Sequence, residues 1–126
     1  MIEEIEIKTK SGTLSASIFG ATNPNDTVLI IASATGVKQE FYKKFAQFIA
    51  INGITVITFD YYGIGRSLKK PIKELKNNAA DWGRIDLESV LKYTLKNFSA
   101  SKKVLLGHSI GGQLIGLSET STTMLL

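Results

Sequence analysis

The stretch Val104-Leu105-Leu106-Gly107-His108-Ser109-Ile110-Gly111-Gly112-Gln113-Leu114 decides how this chain is read. Its apolar start, bounded by glycine, has the signature of a buried strand, and Leu114-Ile115-Gly116-Leu117 resumes with helical spacing. Ser109 is therefore expected on the sharp turn between the two. A Gly-x-Ser-x-Gly turn drives its central residue into strained backbone angles, while the flanking glycines keep side chains clear and leave the hydroxyl exposed at the edge of the sheet. The helix that follows directs its free N–H groups and the positive end of its dipole toward the same point. That is the setting a nucleophilic serine needs. With 11 glycines and 11 serines in 126 residues, composition alone would produce the pattern only about 0.08 times. The plainer reading is a glycine-rich strand-to-helix turn of an α/β protein.

Working outward, residues 5–9 alternate apolar and polar, Lys10-Ser11-Gly12 makes a turn, and residues 13–19 alternate again through Leu14, Ala16 and Ile18. This predicts an N-terminal antiparallel hairpin with one wet face. After a polar turn around Pro24, Val28-Leu29-Ile30-Ile31-Ala32 is continuously apolar, as a parallel strand covered on both faces should be. A small-residue loop, Ser33-Ala34-Thr35-Gly36-Val37, leads into residues 38–52. There Phe41, Phe45, Phe48 and Ile49 recur at helical spacing, predicting a helix packed by that stripe, with Gly53 as its C-terminal cap. Residues 54–59 read as a second buried strand and 69–78 as an exposed polar excursion. Leu87, Val90, Leu91, Thr94, Leu95 and Phe98 mark a second amphipathic helix, led in by Trp82 and Ile85. Strands alternating with helices give the fold class: α/β, a mostly parallel sheet with helices on both faces and the hairpin at its start.

Composition bounds the function. At 44% hydrophobic and 21% charged, the chain can bury a core as one domain. Its net charge of +4 comes from dispersed lysines, with Arg66 and Arg84 the two arginines, so nucleic acid is not an expected partner. The absence of cysteine excludes disulfides and thiolate metal sites. One histidine and scattered carboxylates leave no expected metal or other cofactor. The acidic start Met1-Ile2-Glu3-Glu4-Ile5-Glu6 is not a signal peptide, and no apolar run approaches the ~20 residues of a membrane span, so a cytoplasmic protein without membrane association is expected.

Taken together, these residues resemble the N-terminal half of an α/β-hydrolase. The resemblance rests on the hairpin, the strand ending near Thr35-Gly36, the loop Asp60-Tyr61-Tyr62-Gly63-Ile64-Gly65-Arg66-Ser67 with its Asp-x-x-Gly-x-Gly-x-Ser pattern, and Gly107-His108-Ser109-Ile110-Gly111. It implies that residues 1–126 are the N-terminal part of a single α/β-hydrolase domain, a truncated form of the fold, with the Val28 strand beside the Val104 strand. It also implies a serine hydrolase acting on a small acyl substrate, an ester, thioester or amide, through an acyl-enzyme. Ser109 matches the nucleophile and the N–H of Ile110 one oxyanion donor. The second donor would be Val37 or Gly36. Thr35 stands where many relatives have histidine. Within the Asp60 loop, Asp60 and Ser67 read as loop staples, Arg66 as an exposed loop arginine, and Tyr61 and Tyr62 as packing or as the border of a substrate entrance.

The mechanism is incomplete in this sequence. A serine needs a base, and the base an orienting acid. The one histidine, His108, neighbours Ser109 and should point to the opposite side, so it reads as a packing residue beneath the turn. In the resembling family the acid and the histidine follow later strands. The expectation is a fragment or frameshifted product, inactive alone, whose strand at 104–107 forms an uncovered apolar edge that invites self-association. Two further readings stay open: a non-catalytic remnant of the fold, and a phosphate-binding module using Gly107 to Gly112. The second lacks the Lys and Ser/Thr of a phosphate loop, having Gln113 and Leu114 instead.

Overall fold

A computed structural model describes residues 2–22, 26–34, 37–68 and 79–120. The turn at Pro24, the loop residues Thr35 and Gly36, the excursion at 69–78 and residues 121–126 lie outside the described residues. Five strands form one sheet in the order β1-β2-β4-β3-β5. β1 (Ile2–Lys8) and β2 (Thr13–Phe19) are the expected antiparallel hairpin, and β2 also runs antiparallel to β4 (Ile54–Phe59). β3 (Thr27–Ala32) lies parallel between β4 and β5 (Lys102–Gly107), with Leu29 facing Val56 on one side and Val104 on the other. The Val28 and Val104 strands are thus neighbours, as the resemblance implied.

The uninterrupted apolar run of β3 follows from having both faces covered. Val28, Ile30 and Ala32 pack with Leu87, Val90 and Leu91, whereas Leu29 and Ile31 pack with Tyr42, Ala46 and Ala50. The first face carries a short α2 (Ala79–Asp81), a π-helical segment Trp82–Leu87, α3 (Glu88–Asn97) and α4 (Ile110–Ile115). The second carries a 3-10 turn, Gln39–Tyr42, and α1 (Lys43–Ile51). The segment after α4 is held down by Glu88, whose carboxylate accepts hydrogen bonds from the Ser118 hydroxyl and the Thr120 N–H, each at 2.7 Å.

Two expectations are corrected here. The hairpin does not have a single wet face: β1 is mostly exposed, but β2 is buried nearly end to end, because it lies between β1 and β4 inside the sheet. Its serines are accommodated by partners, the Ser15 N–H donating to Ser67 Oγ at 2.8 Å and the Ser17 hydroxyl to Gln39 Oε1 at 3.0 Å. The second correction concerns the helix at 38–52. Its buried stripe is Gln39, Tyr42, Ala46 and Ala50, while Phe41, Phe45 and Phe48 are exposed at 71%, 44% and 63% and Ile49 is only partly buried.

The physical cause is an anchor at the start of the helix. Gln39 donates its backbone N–H to Asp60 Oδ1 and its side-chain amide to Asp60 Oδ2, both at 2.8 Å, and that amide also reaches the Ser15 carbonyl. Its Oε1 accepts from Ser17 and Thr58. With Gln39 fixed against the sheet, residues three, seven and eleven positions later must share its face. Alanine at two of them lets the helix backbone approach closely, and the phenylalanines are rotated outward.

Asp86 is buried within the π-helical segment and accepts the Tyr62 N–H at 2.7 Å through Oδ2, while Oδ1 has no hydrogen-bond partner among the described residues. Burial, reinforced by the Asp81 charge and only partly offset by the Tyr62 bond, pushes its carboxyl up to about 7. A folded-state value above the unfolded one means that the fold holds this proton. The resulting stabilisation is complete below about pH 4 and is lost as pH rises through about 7. We expect the melting temperature to fall between pH 5 and pH 8 for the wild-type chain and to fall less for Asp86→Asn. Equal falls in the two proteins would remove Asp86 as the cause.

Candidate active site

β5 ends at Gly107, and the chain reverses through His108 and Ser109 into α4. Ser109 adopts φ 58° and ψ −119° and is exposed. A positive φ in a residue with a side chain is costly, on the order of 1–3 kcal/mol, so surrounding structure must hold it there. The restraint is visible on both sides. The His108 N–H donates to the Ala32 carbonyl at 3.0 Å, continuing the β3–β5 ladder, and the Gly111 and Gly112 N–H groups donate back to the His108 and Ser109 carbonyls, each at 3.0 Å. A Cβ on Gly111 would overlap the Ala32 carbonyl oxygen, and a Cβ on Gly107 would overlap the backbone of Gly112. The two glycines of the Gly-x-Ser-x-Gly pattern are thus required by backbone-to-backbone packing.

Ile110 opens α4, where an N–H has no acceptor one turn back within the helix. The other expected donor loop follows β3. Val37 is half-buried, and its N–H donates to the Ala34 carbonyl at 3.1 Å, while Gly36 is outside the described residues. Tyr42 joins this loop to the serine turn: its hydroxyl accepts the Ala34 N–H at 3.2 Å and lies 2.7 Å from His108 Nδ1. The Tyr42 hydroxyl and His108 Nδ1 thus share one hydrogen bond, whose direction follows the His108 tautomer. His108 is exposed and its ring stacks on Phe41 with centroids 6.4 Å apart, so it does not lie beneath the turn as expected. It is pinned to the loop after β3 instead.

In the Asp60 loop, one carboxylate accepts from Gln39 twice and from the Arg66 N–H at 3.1 Å, and the Ser67 hydroxyl donates to the Asp60 carbonyl at 2.6 Å. Both residues act as staples. Tyr61 is buried, stacks on Trp82 and donates its hydroxyl to the Ser33 carbonyl, and burial raises its pKa so that the proton stays on. Tyr62 packs against Gly12. Arg66 is more engaged than an exposed loop arginine: its guanidinium pairs with Glu4 at 2.6 Å and Glu40 at 3.2 Å and donates to Ser17. It borders an open groove of about 430 Å³ near Glu4 and Gln39, at the β1–β2 end of the sheet, away from Ser109 on the far strand. Among the described residues, no cluster of three or more histidine or carboxylate side chains is placed to hold a metal. Gln39 and Tyr42 were not legible as site-building residues. The available signal was their spacing with Ala46 and Ala50, which competed with the louder phenylalanine stripe.

A sequence profile described as serine aminopeptidase, S33, matches residues 23–117. The chain belongs to this family. It is an α/β hydrolase by fold as well. Over 90% of its length it resembles a lidless α/β serine hydrolase from Xanthomonas campestris, at 16% identity and a TM-score of 0.71. It also resembles a thermostable carboxyl esterase from Bacillus coagulans, over 90% of its length at 14% identity and a TM-score of 0.75. A monoglyceride lipase from Saccharomyces cerevisiae matches over 89% at 18% identity and a TM-score of 0.74. The chain spans 53%, 38% and 36% of those three proteins. A search of curated proteins found no match. Among the described residues, no helix is long and apolar enough to cross a membrane.

The strain at Ser109 has a measurable signature in this S33-family chain. Ser109→Gly should be more stable than Ser109→Ala by about 1 kcal/mol, since both lose the hydroxyl but only glycine relieves the positive φ. Gly111→Ala should be destabilised by more than about 3 kcal/mol or fail to fold, because a backbone carbonyl cannot yield. Urea unfolding of the three variants measures both. Equal stability of the glycine and alanine variants would mean that the turn is relaxed.

Proposed function

We propose that Ser109 is the nucleophile of an acyl-transfer site acting on a small ester, thioester or amide. The observation that carries this reading is the exposed serine on a positive-φ corner at the head of α4, beside the loop after β3, in a chain of the S33 family. In this reading the serine oxygen attacks the acyl carbonyl and forms a tetrahedral adduct. The carbonyl oxygen, now negative, is stabilised by the Ile110 N–H and by an N–H of the Gly36–Val37 loop. Removing one donor of this kind typically slows a reaction by about 10²–10³. For Val37 this requires its N–H to turn from the Ala34 carbonyl or to be shared with it. Collapse of the adduct expels the leaving group and leaves an acyl-serine, which water then hydrolyses.

The serine's proton must be taken by a base. His108 is adjacent in sequence, but its Nδ1 is engaged by Tyr42, and it is the chain's one histidine. In this reading no histidine of these 126 residues is free to act as that base, and the chain alone is expected to turn over no ester.

The reading is tested by treating the chain with a fluorophosphonate while added imidazole substitutes for the missing base, and then mapping the adduct by peptide mass. We expect slow, single labelling at Ser109 among the 11 serines, lost in Ser109→Ala. Labelling spread over several serines, or no faster than in the urea-unfolded chain, would contradict an activated Ser109.

A further inference from the structure

The β3–β5 ladder ends where the His108 N–H meets the Ala32 carbonyl. The two N–H groups assigned to the acyl oxygen lie beyond it on different segments, Ile110 two residues after His108 and Val37 in the loop after β3. Past the ladder, the Tyr42 hydroxyl bonds to both segments: it accepts the Ala34 N–H at 3.2 Å and shares a 2.7 Å hydrogen bond with His108 Nδ1. Ala34 in turn receives the Val37 N–H on its carbonyl. A hydroxyl has one proton and two acceptor lone pairs, so it can accept from Ala34 and still bond His108 in either direction. One oxygen atom therefore sits a single hydrogen bond from each side of the candidate site.

That oxygen is itself held by rigid structure. The Tyr42 ring is 7% exposed, packs with Leu29 and Ile31 of β3 and Ala46 of α1, and meets the His108 ring edge-on with centroids 5.8 Å apart. Three residues earlier in the same 3-10 turn, Gln39 is bonded to Asp60 and to the Ser15 carbonyl of β2. Ala34 is also buried, so its N–H has little water to turn to if the hydroxyl is lost. We infer that Tyr42 is a positioning residue: acting through Ala34 and His108, its hydroxyl sets the separation between the Gly36–Val37 loop and the Ser109 corner, and with it the spacing of the two oxyanion donors. The role in catalysis rests on the acyl-transfer reading of Ser109, although the tie itself does not. Spacing matters because such donors act only within about 2.7–3.1 Å of where the oxyanion forms, and a misplacement of about 1 Å can cost ~10² in rate.

Tyr42→Phe removes the one oxygen and keeps the buried ring. Thr94→Val is the matched loss of a buried hydroxyl elsewhere, in α3, where Thr94 Oγ1 donates to the Val90 carbonyl at 2.8 Å. With the same fluorophosphonate and imidazole, Ser109 in Tyr42→Phe should label about 10-fold more slowly than in the wild-type chain, and in Thr94→Val at the wild-type rate. His108→Phe breaks the bond from its exposed end, so it tests the tie even where Tyr42→Phe does not fold. It should also slow labelling, and adding it to Tyr42→Phe should cost nothing more, because both remove one shared bond. Amide hydrogen exchange needs no chemistry at Ser109. It should show the Gly111 and Gly112 amides, as well as those of Ala34 and Val37, exchanging about 5-fold or more faster in Tyr42→Phe and not in Thr94→Val. Wild-type labelling in Tyr42→Phe, additive slowing in the double variant, or faster exchange confined to Ala34 and Val37 would overturn the proposal and leave Tyr42 a staple of one loop. A wild-type chain that does not label at Ser109 would overturn the acyl-transfer reading and the catalytic role with it, while exchange at Gly111 and Gly112 would still decide the tie.

Discussion

The fit of a backbone without side chains against the end of β3 is the constraint on which the rest of this structure depends. Gly111 brings the first turn of α4 onto the Ala32 carbonyl, and Gly107 lets the end of β5 pass Gly112. With those two approaches fixed, the chain must turn within His108 and Ser109, and the cost of turning falls on the serine as a positive φ. The exposure of Ser109 is therefore a consequence of packing on either side of it. The same contacts set the serine beside the loop that leaves β3, since Ala32 is also the last residue of that strand.

A second constraint, polar and some distance away, organises that loop. Asp60 gathers three N–H donors at the end of β4, two of them from Gln39. This ties the exits of β3 and β4 together and sets the rotation of the helix that follows, which in turn places Tyr42 where its hydroxyl bridges Ala34 and His108. Buried hydrogen bonds of this kind are costly to leave unmade, and that asymmetry gives a single carboxylate influence over the position of an entire helix.

The sequence made the sheet legible because its signals were local. A continuous apolar run marks a strand covered twice, and glycine spacing around Ser109 marks a corner. Neighbouring of the Val28 and Val104 strands was not local, and came from the resemblance to α/β hydrolases. The phase of α1 was misread because Phe41, Phe45 and Phe48 form a hydrophobic stripe as regular as Gln39, Tyr42, Ala46 and Ala50, and periodicity cannot say which one faces the sheet. Only the tertiary bonds of Gln39 decide that. His108 was misplaced for a related reason: alternation along a strand predicts which side a ring leaves from, but the Tyr42 hydroxyl that holds it lies 66 residues earlier in the chain.

The account's central claim is that packing at the β3–β5–α4 junction holds Ser109 out on a left-handed corner. A crystal structure of the 126-residue chain, at a resolution that fixes backbone torsions, tests it most directly. It should show Ser109 with φ between +40° and +80°, its hydroxyl in solvent, and the Gly111 Cα against the Ala32 carbonyl. A Ser109 with negative φ, or with its hydroxyl turned into the protein, would contradict the claim.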